Sequence, residues 1–250
     1  MIETRDDAFL GGRLHMRQPV KGYRAGADPV FLAASVPAMA GQSVLELGCG
    51  VGTAMLCLIA RVPDLSVTGI ERDPSYAALA RENCVNLGLG GKVVEADIVD
   101  LPASIRDQSF DHVLFNPPFF DRANSSAAPD DAREAGRGLD VTLETWVDIA
   151  LRRTVSAGQI TLIHRIEHLP DVLNSLKDRA GDIHVLPLQP RADKAAKLFV
   201  LKAKKGSKAS FRLCSSLVLH KGDRHLADGD SYTDAATAIL RGGAPISWSS

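Results

Sequence analysis

The sequence has few cysteines, few aromatic residues and no long apolar run, and each shortage removes a class of protein. Its four cysteines, Cys49, Cys57, Cys84 and Cys214, are scattered through 250 residues with no CxxC pair and no Cys/His cluster. They read as reduced thiols, so neither a disulfide framework nor a metal site is expected. No apolar stretch approaches the roughly 20 residues that a membrane helix needs. The start, MIETRDDAFLGG, lacks the basic-then-apolar layout of a secretory signal, and a cytoplasmic location is expected. A net charge of -1 sets up no broad field for nucleic acid. There is no internal repeat. What remains is 45% hydrophobic and 24% charged, an ordinary globular balance in a chain long enough to bury a core.

From residue 43 onward short apolar runs alternate with helical segments. Strands are predicted at 43–47, 65–71, 92–96, 110–115, 159–164 and 182–188, with helices from about Gly52 and over 74–87, 142–156 and 168–179. This alternation predicts an α/β fold: a doubly wound, seven-stranded, mostly parallel sheet covered by helices on both faces. Asp73-Pro74 is a strong helix start, a capping side chain followed by a proline that needs no donor. Residues 1–42 form a separate N-terminal segment, and 43–250 make the main domain. Beyond 190 the runs KLFVLKAKK and SFRLCSSLVLH read as strands, the end of the sheet plus a hairpin-like extension. SYTDAATAIL (231–240) reads as a closing helix ended by Gly242. Residues 121–136, polar and small, read as a loop.

The first strand of this alternation runs into Glu46-Leu47-Gly48-Cys49-Gly50-Val51-Gly52. Glycines at the carboxyl edge of a parallel sheet let the backbone turn sharply and approach a ligand. The spacing is GxGxG, and the dinucleotide pattern GxGxxG fails because Thr53 stands at its last position. Glu46, just before the glycines, would repel a pyrophosphate and suits a cationic ligand part such as a sulfonium or α-ammonium. Glu71 ends the second strand, where an acid can accept from both ribose hydroxyls. Asp97 follows the third, where a carboxylate can meet an adenine amino group. The plainer reading is that these acids cap turns; three of them at strand carboxyl ends favour a shared ligand site.

The fourth strand leads into Asn116-Pro117-Pro118-Phe119-Phe120. The first and fourth strands should be neighbours at the switch point, so Glu46 and Asn116 should face one crevice. Two prolines stiffen the loop and leave its carbonyls free to accept. The Asn116 side-chain oxygen and the Pro117 carbonyl can together grip both hydrogens of an NH₂ group. That grip localises on nitrogen a lone pair otherwise delocalised into a ring or carbonyl, so positioning and fixed acceptors carry the catalysis. Phe119 offers a stacking face for a flat acceptor, worth about 1–3 kcal/mol for a nucleobase; Phe120 reads as core.

One stretch is unevenly charged. Arg191, Lys194, Lys197, Lys202, Lys204, Lys205, Lys208 and Arg212 stand against a single acid, Asp193. This is either an edge strand kept unpaired by lysines or a phosphate-contacting patch.

Val44 to Phe120 resembles class I, Rossmann-like methyltransferases of the N6-adenine type. With GYRAGADPVFLAA (22–34) ahead of it, the chain resembles the tRNA1(Val) adenine-N6 methyltransferase family, which uses S-adenosyl-L-methionine to modify adenine in tRNA. The resemblance implies that Gly26, Ala27 and Asp28 help close over the methionine end of the cofactor. It implies Glu71 for the ribose, Asp97 for the adenine end, and Asn116, Pro117, Pro118 and Phe119 for the target amine. Arg24 is a further candidate, for the methionine carboxylate or an RNA phosphate, and so is Tyr23.

Other readings stay open. Release-factor glutamine methyltransferases carry the same NPP loop, usually behind a sizeable helical domain, whereas about forty residues precede Ser43 here. A ribosomal RNA guanine or adenine amine is another option. DNA adenine enzymes would need a larger recognition region than 190–250. A non-catalytic cofactor-binding module would have no use for acceptors aimed at an amine.

Overall fold

The computed structural model describes residues 2–118, 141–222 and 231–248. An antiparallel hairpin opens the chain, β1 (Thr4–Phe9) and β2 (Leu14–Pro19), turned by a 3-10 stretch at Leu10–Gly12. The sequence reading assigns no element here. Its signal is the period-two alternation of β2, where Leu14, Met16 and Gln18 are buried and His15 and Arg17 exposed. Helix α1 (Asp28–Ser35) follows.

The main domain then alternates as expected: β3 (Ser43–Leu47), α2 (Thr53–Arg61), β4 (Ser66–Glu71), α3 (Pro74–Asn86), β5 (Gly91–Glu95), a short α4 (Ala103–Arg106) and β6 (Phe110–Phe115). After it come α5 (Leu143–Arg153), β7 (Thr154–Arg165), α6 (Leu169–Leu176), β8 (Ala180–Gln189), β9 (Leu198–Lys205), β10 (Arg212–Leu213), β11 (Leu217–Val218) and α7 (Asp234–Leu240). The Asp73 cap forms as expected, its carboxylate accepting from the Ser75 and Tyr76 amides at 2.7 and 3.2 Å.

Seven strands form the sheet in the order β5-β4-β3-β6-β7-β9-β8, with β9 antiparallel to both neighbours and the rest parallel. The seven-stranded, mostly parallel sheet therefore stands. The two-residue strands β10 and β11 both add to β8 in parallel, so the expected hairpin-like extension is corrected: the two never pair with each other. A second correction concerns the lysine-rich strand. β9 lies between β7 and β8, so its lysines guard no open edge.

Alternate strand residues serve two layers. Val44, Leu114, Ile163 and Val200 pack with the hairpin, α1, α2 and α7, while Leu45, Val113, Leu162 and Leu201 pack with α5 and α6. Both faces of each central strand are buried, which is why these strands read as nearly continuous apolar runs. β7 begins five residues earlier than expected, because Thr154 already pairs with Phe110 across an irregular register. The left-handed residue that ends α7 is Gly243, not Gly242. Among the described residues no helix is long and apolar enough to cross a membrane.

Candidate active site

The chain leaves β5 and returns on the far side of β3 as β6, so the switch point lies between β3 and β6. Leu47 and Phe115 are register partners there. The next residues on each strand, Gly48 and Asn116, therefore start the two loops side by side.

The glycine loop is held from several directions. Cys49 N–H donates to the Ile70 carbonyl at 2.8 Å, tying the loop to β4. Gly48 takes φ 67°, and a Cβ there would lie 2.8 Å from the Trp146 ring. Trp146, on α5, stacks at 6.1 Å on Phe115, so the wall behind Gly48 is itself packed. Gly52, at φ 86°, opens α2. Gly50 N–H donates to Glu71 at 2.9 Å, and the other Glu71 oxygen accepts from Asp73 N–H at 2.8 Å. Glu71 thus bridges the loop to the start of α3, and burial pushes its carboxyl upward.

Glu46 is fully enclosed and accepts from Met55 N–H at 2.9 Å. Burial, with a smaller contribution from Glu71, pushes it up to about 8. A buried acid with, among the described residues, one hydrogen bond and no cation beside it is costly, which favours a cationic partner there. Asp97 accepts from Val99 N–H at 3.1 Å. Glu71 and Asp97 therefore do cap turns, as the plainer reading holds, but each carboxylate keeps lone pairs for a further donor.

The N-terminal segment reaches the same crevice. Tyr23 is 54% exposed, yet its hydroxyl is pushed up to about 12 by burial and by the charges of Asp28 and Glu46. Asp28, the first residue of α1, is raised by burial. Gly26, two residues earlier, is exposed. Tyr76 on α3 donates to the Tyr23 carbonyl at 3.0 Å. Gln18 is buried and grips Ala25 at both ends, accepting from its N–H at 2.7 Å and donating to its carbonyl at 3.1 Å. Arg24 meets the hairpin. Its guanidinium, 40% exposed, pairs with Asp7 at 2.8 Å on the hairpin.

On the facing loop Pro117 is buried and Pro118 exposed. The Asn116 side-chain oxygen is buried and has no hydrogen-bond partner among the described residues. Leaving such an acceptor unpaired costs about 1–3 kcal/mol. Phe119, Phe120 and the 121–136 loop lie outside the described residues. Trp146, Gln18 and Tyr76 are supports that sequence reading misses, because each acts on the crevice from an element distant in the chain. A glycine cradle, an enclosed acid and an orphaned acceptor on adjoining loops fit a ligand with a cationic centre.

Comparison with known proteins agrees. The family model described as Methyltransferase small domain matches residues 27–139. A tRNA1(Val) (adenine(37)-N6)-methyltransferase of Porphyromonas gingivalis is 36% identical over 179 residues, covering 66% of this chain and 68% of that one. This chain belongs to that family. A tRNA1(Val) (adenine(37)-N6)-methyltransferase of Haemophilus influenzae is 26% identical over 158 residues, covering 62% of this chain and 67% of the other. Among solved structures, one described as a predicted O-methyltransferase of Agrobacterium tumefaciens superposes with a TM-score of 0.70 at 24% identity. It covers 88% of this chain and 98% of its own, and the likeness is one of fold. The protein is an S-adenosylmethionine-dependent methyltransferase.

Proposed function

We propose that this methyltransferase modifies the exocyclic amine of an adenine in tRNA, with position 37 of tRNA1(Val) as the specific target. The observation that carries the reading is the Asn116 oxygen beside Pro117, buried and without a partner among the described residues, at the switch point and one strand from the glycine loop. The names of the relatives support the choice of RNA and base.

In this reading Gly48, Gly50 and Gly52 let the cofactor lie against the backbone, Glu71 takes the ribose and Asp97 the adenine end. Glu46 offsets the cationic end, and residues 1–42 close over it through Gly26, Asp28 and Tyr23. S-adenosylmethionine supplies an electrophilic methyl group. Asn116 and the Pro117 carbonyl accept the two amine hydrogens, and Phe119 stacks on the base. With both hydrogens held, the nitrogen becomes pyramidal and its lone pair points at the methyl carbon. An N–C bond forms as the S–C bond breaks, and the extra proton leaves to solvent, because an amide side chain cannot take it.

Methyl transfer from labelled cofactor to total tRNA, ribosomal RNA and release factor in separate reactions tests the proposal. Label in tRNA, located to an adenine by nucleoside analysis, is expected. Label in the release factor alone would overturn it.

A further inference from the structure

We infer that the basic run from Arg191 to Arg212 is two surfaces, and that its first part, with Arg165, forms a rim that holds the phosphates flanking the target nucleotide. This rests on the tRNA reading above.

The strand register separates the two parts. Phe115 pairs with Leu162, Arg165 with Leu198, and Leu198 with Leu188. Arg165, three residues beyond Leu162, therefore stands level with the end of the Asn116–Pro118 loop, one strand over. The loop from Pro190 to Lys197 leaves the sheet at this same edge, because β8 runs parallel to β6 and β9 returns from it. Lys197 is fixed by its backbone, which accepts from Ile166 N–H at 3.0 Å and donates to the Leu188 carbonyl at 3.3 Å. Its side chain is exposed. Neighbouring strands are about 4.8 Å apart, so Lys197 lies two spacings, roughly 10 Å, from the end of β6.

Arg191 anchors the loop from below. It is 8% exposed and donates to the carbonyls of Lys221 and Gly222. Lys194 sits on the exposed turn beside Asp193 at 2.8 Å. Among the described residues the nearby acids are Asp193, Glu167 and Asp171, the last paired with His168 at 3.4 Å. Among the described residues, Arg165, Arg191, Lys194 and Lys197 outnumber them by one.

The remaining lysines face away. β9 runs eight residues from Leu198 to Lys205, about 24 Å at the strand rise. Lys205 donates to the Thr154 carbonyl at the opposite end of β7, and Lys204 lies opposite Gln159 and Gly181 there. Lys208 follows on the next turn. Lys202 covers the face of Trp248 at 4.7 Å.

The test measures binding of the full chain to unmodified tRNA against salt, for Lys194→Gln with Lys197→Gln and for Lys204→Gln with Lys208→Gln. Each single-strand phosphate contact adds about 0.7 to the log–log slope, so the first pair should lower it by about 1.4. Between about 50 and about 200 mM salt, the unsubstituted protein should then lose about sevenfold more affinity than this variant. The second pair should match the unsubstituted slope. Arg165→Gln, tested alone, should lower the slope by about 0.7. Equal slopes for both pairs, or a drop confined to the second, would overturn the rim. If the unsubstituted protein neither binds nor methylates tRNA, the tRNA reading itself fails and the rim with it.

Discussion

Gly48 and Trp146 meet so closely that a Cβ on the glycine would lie 2.8 Å from the indole ring. The residue that opens the cofactor loop is thus shaped by a side chain about one hundred positions later, and both touch the loop pair of the candidate site.

Gly48→Ala should therefore act twice. The left-handed backbone at φ 67° costs an alanine about 1–2 kcal/mol, and the ring contact adds a clash. Unfolding midpoint and cofactor affinity should both fall. Adding Trp146→Leu should restore part of the loss, since it relieves the clash but not the backbone. No recovery in the double variant would mean that the contact is not the cause.

Asn116→Ala separates binding from chemistry. Losing one preorganised acceptor should cost about 10²–10³ in turnover, or about 3–4 kcal/mol. Cofactor affinity by calorimetry should stay close to that of the unsubstituted protein. Equal losses in both would show that Asn116 only supports the fold.

Cofactor binding should depend on pH through Glu46. Its carboxyl is pushed up to about 8, so below that pH it is mainly protonated in the free enzyme. A cationic ligand beside it favours the carboxylate, and binding then releases a proton. Affinity should fall about tenfold per unit as pH drops below about 8 and level off above. Glu46→Gln should flatten the profile, which titration calorimetry in buffers of different ionisation heat can follow. A variant profile as steep as the original would assign the proton elsewhere.

Stability should fall on mild acidification for a different reason. His164 is buried beside His168, and burial first, then the neighbouring imidazole, hold it down at about 4. Between its ordinary value of about 6.5 and 4 the unfolded chain binds the proton and the folded chain does not, so stability is lost as pH falls through that window. The full difference is on the order of 3 kcal/mol. Denaturant unfolding at pH 7 and pH 5 should show a smaller drop for His164→Asn, and an equal drop would exclude His164 as the titrating group.

The sequence by itself determined the alternation of strands and helices, the Asp73 cap, the glycine loop with Glu46 and Glu71, and the Asn116 loop. Each is a local pattern, set by side-chain periodicity, capping chemistry or glycine spacing within a few residues. Tertiary structure alone decided which partners those residues meet. Arg24 meets Asp7 because the hairpin places a carboxylate within reach, and no local signal marks that hairpin as a neighbour. Gln18 pins Ala25, and Trp146 walls Gly48, across gaps that periodicity cannot read. Composition carries no strand order, so the lysine-rich run reads equally as an edge strand or a phosphate-contacting patch. The antiparallel insertion of β9 between β7 and β8 buries that edge and places Lys197 and Lys205 at opposite ends of the sheet. Strand order comes from long-range hydrogen bonding and packing, and these exist only once the chain has folded.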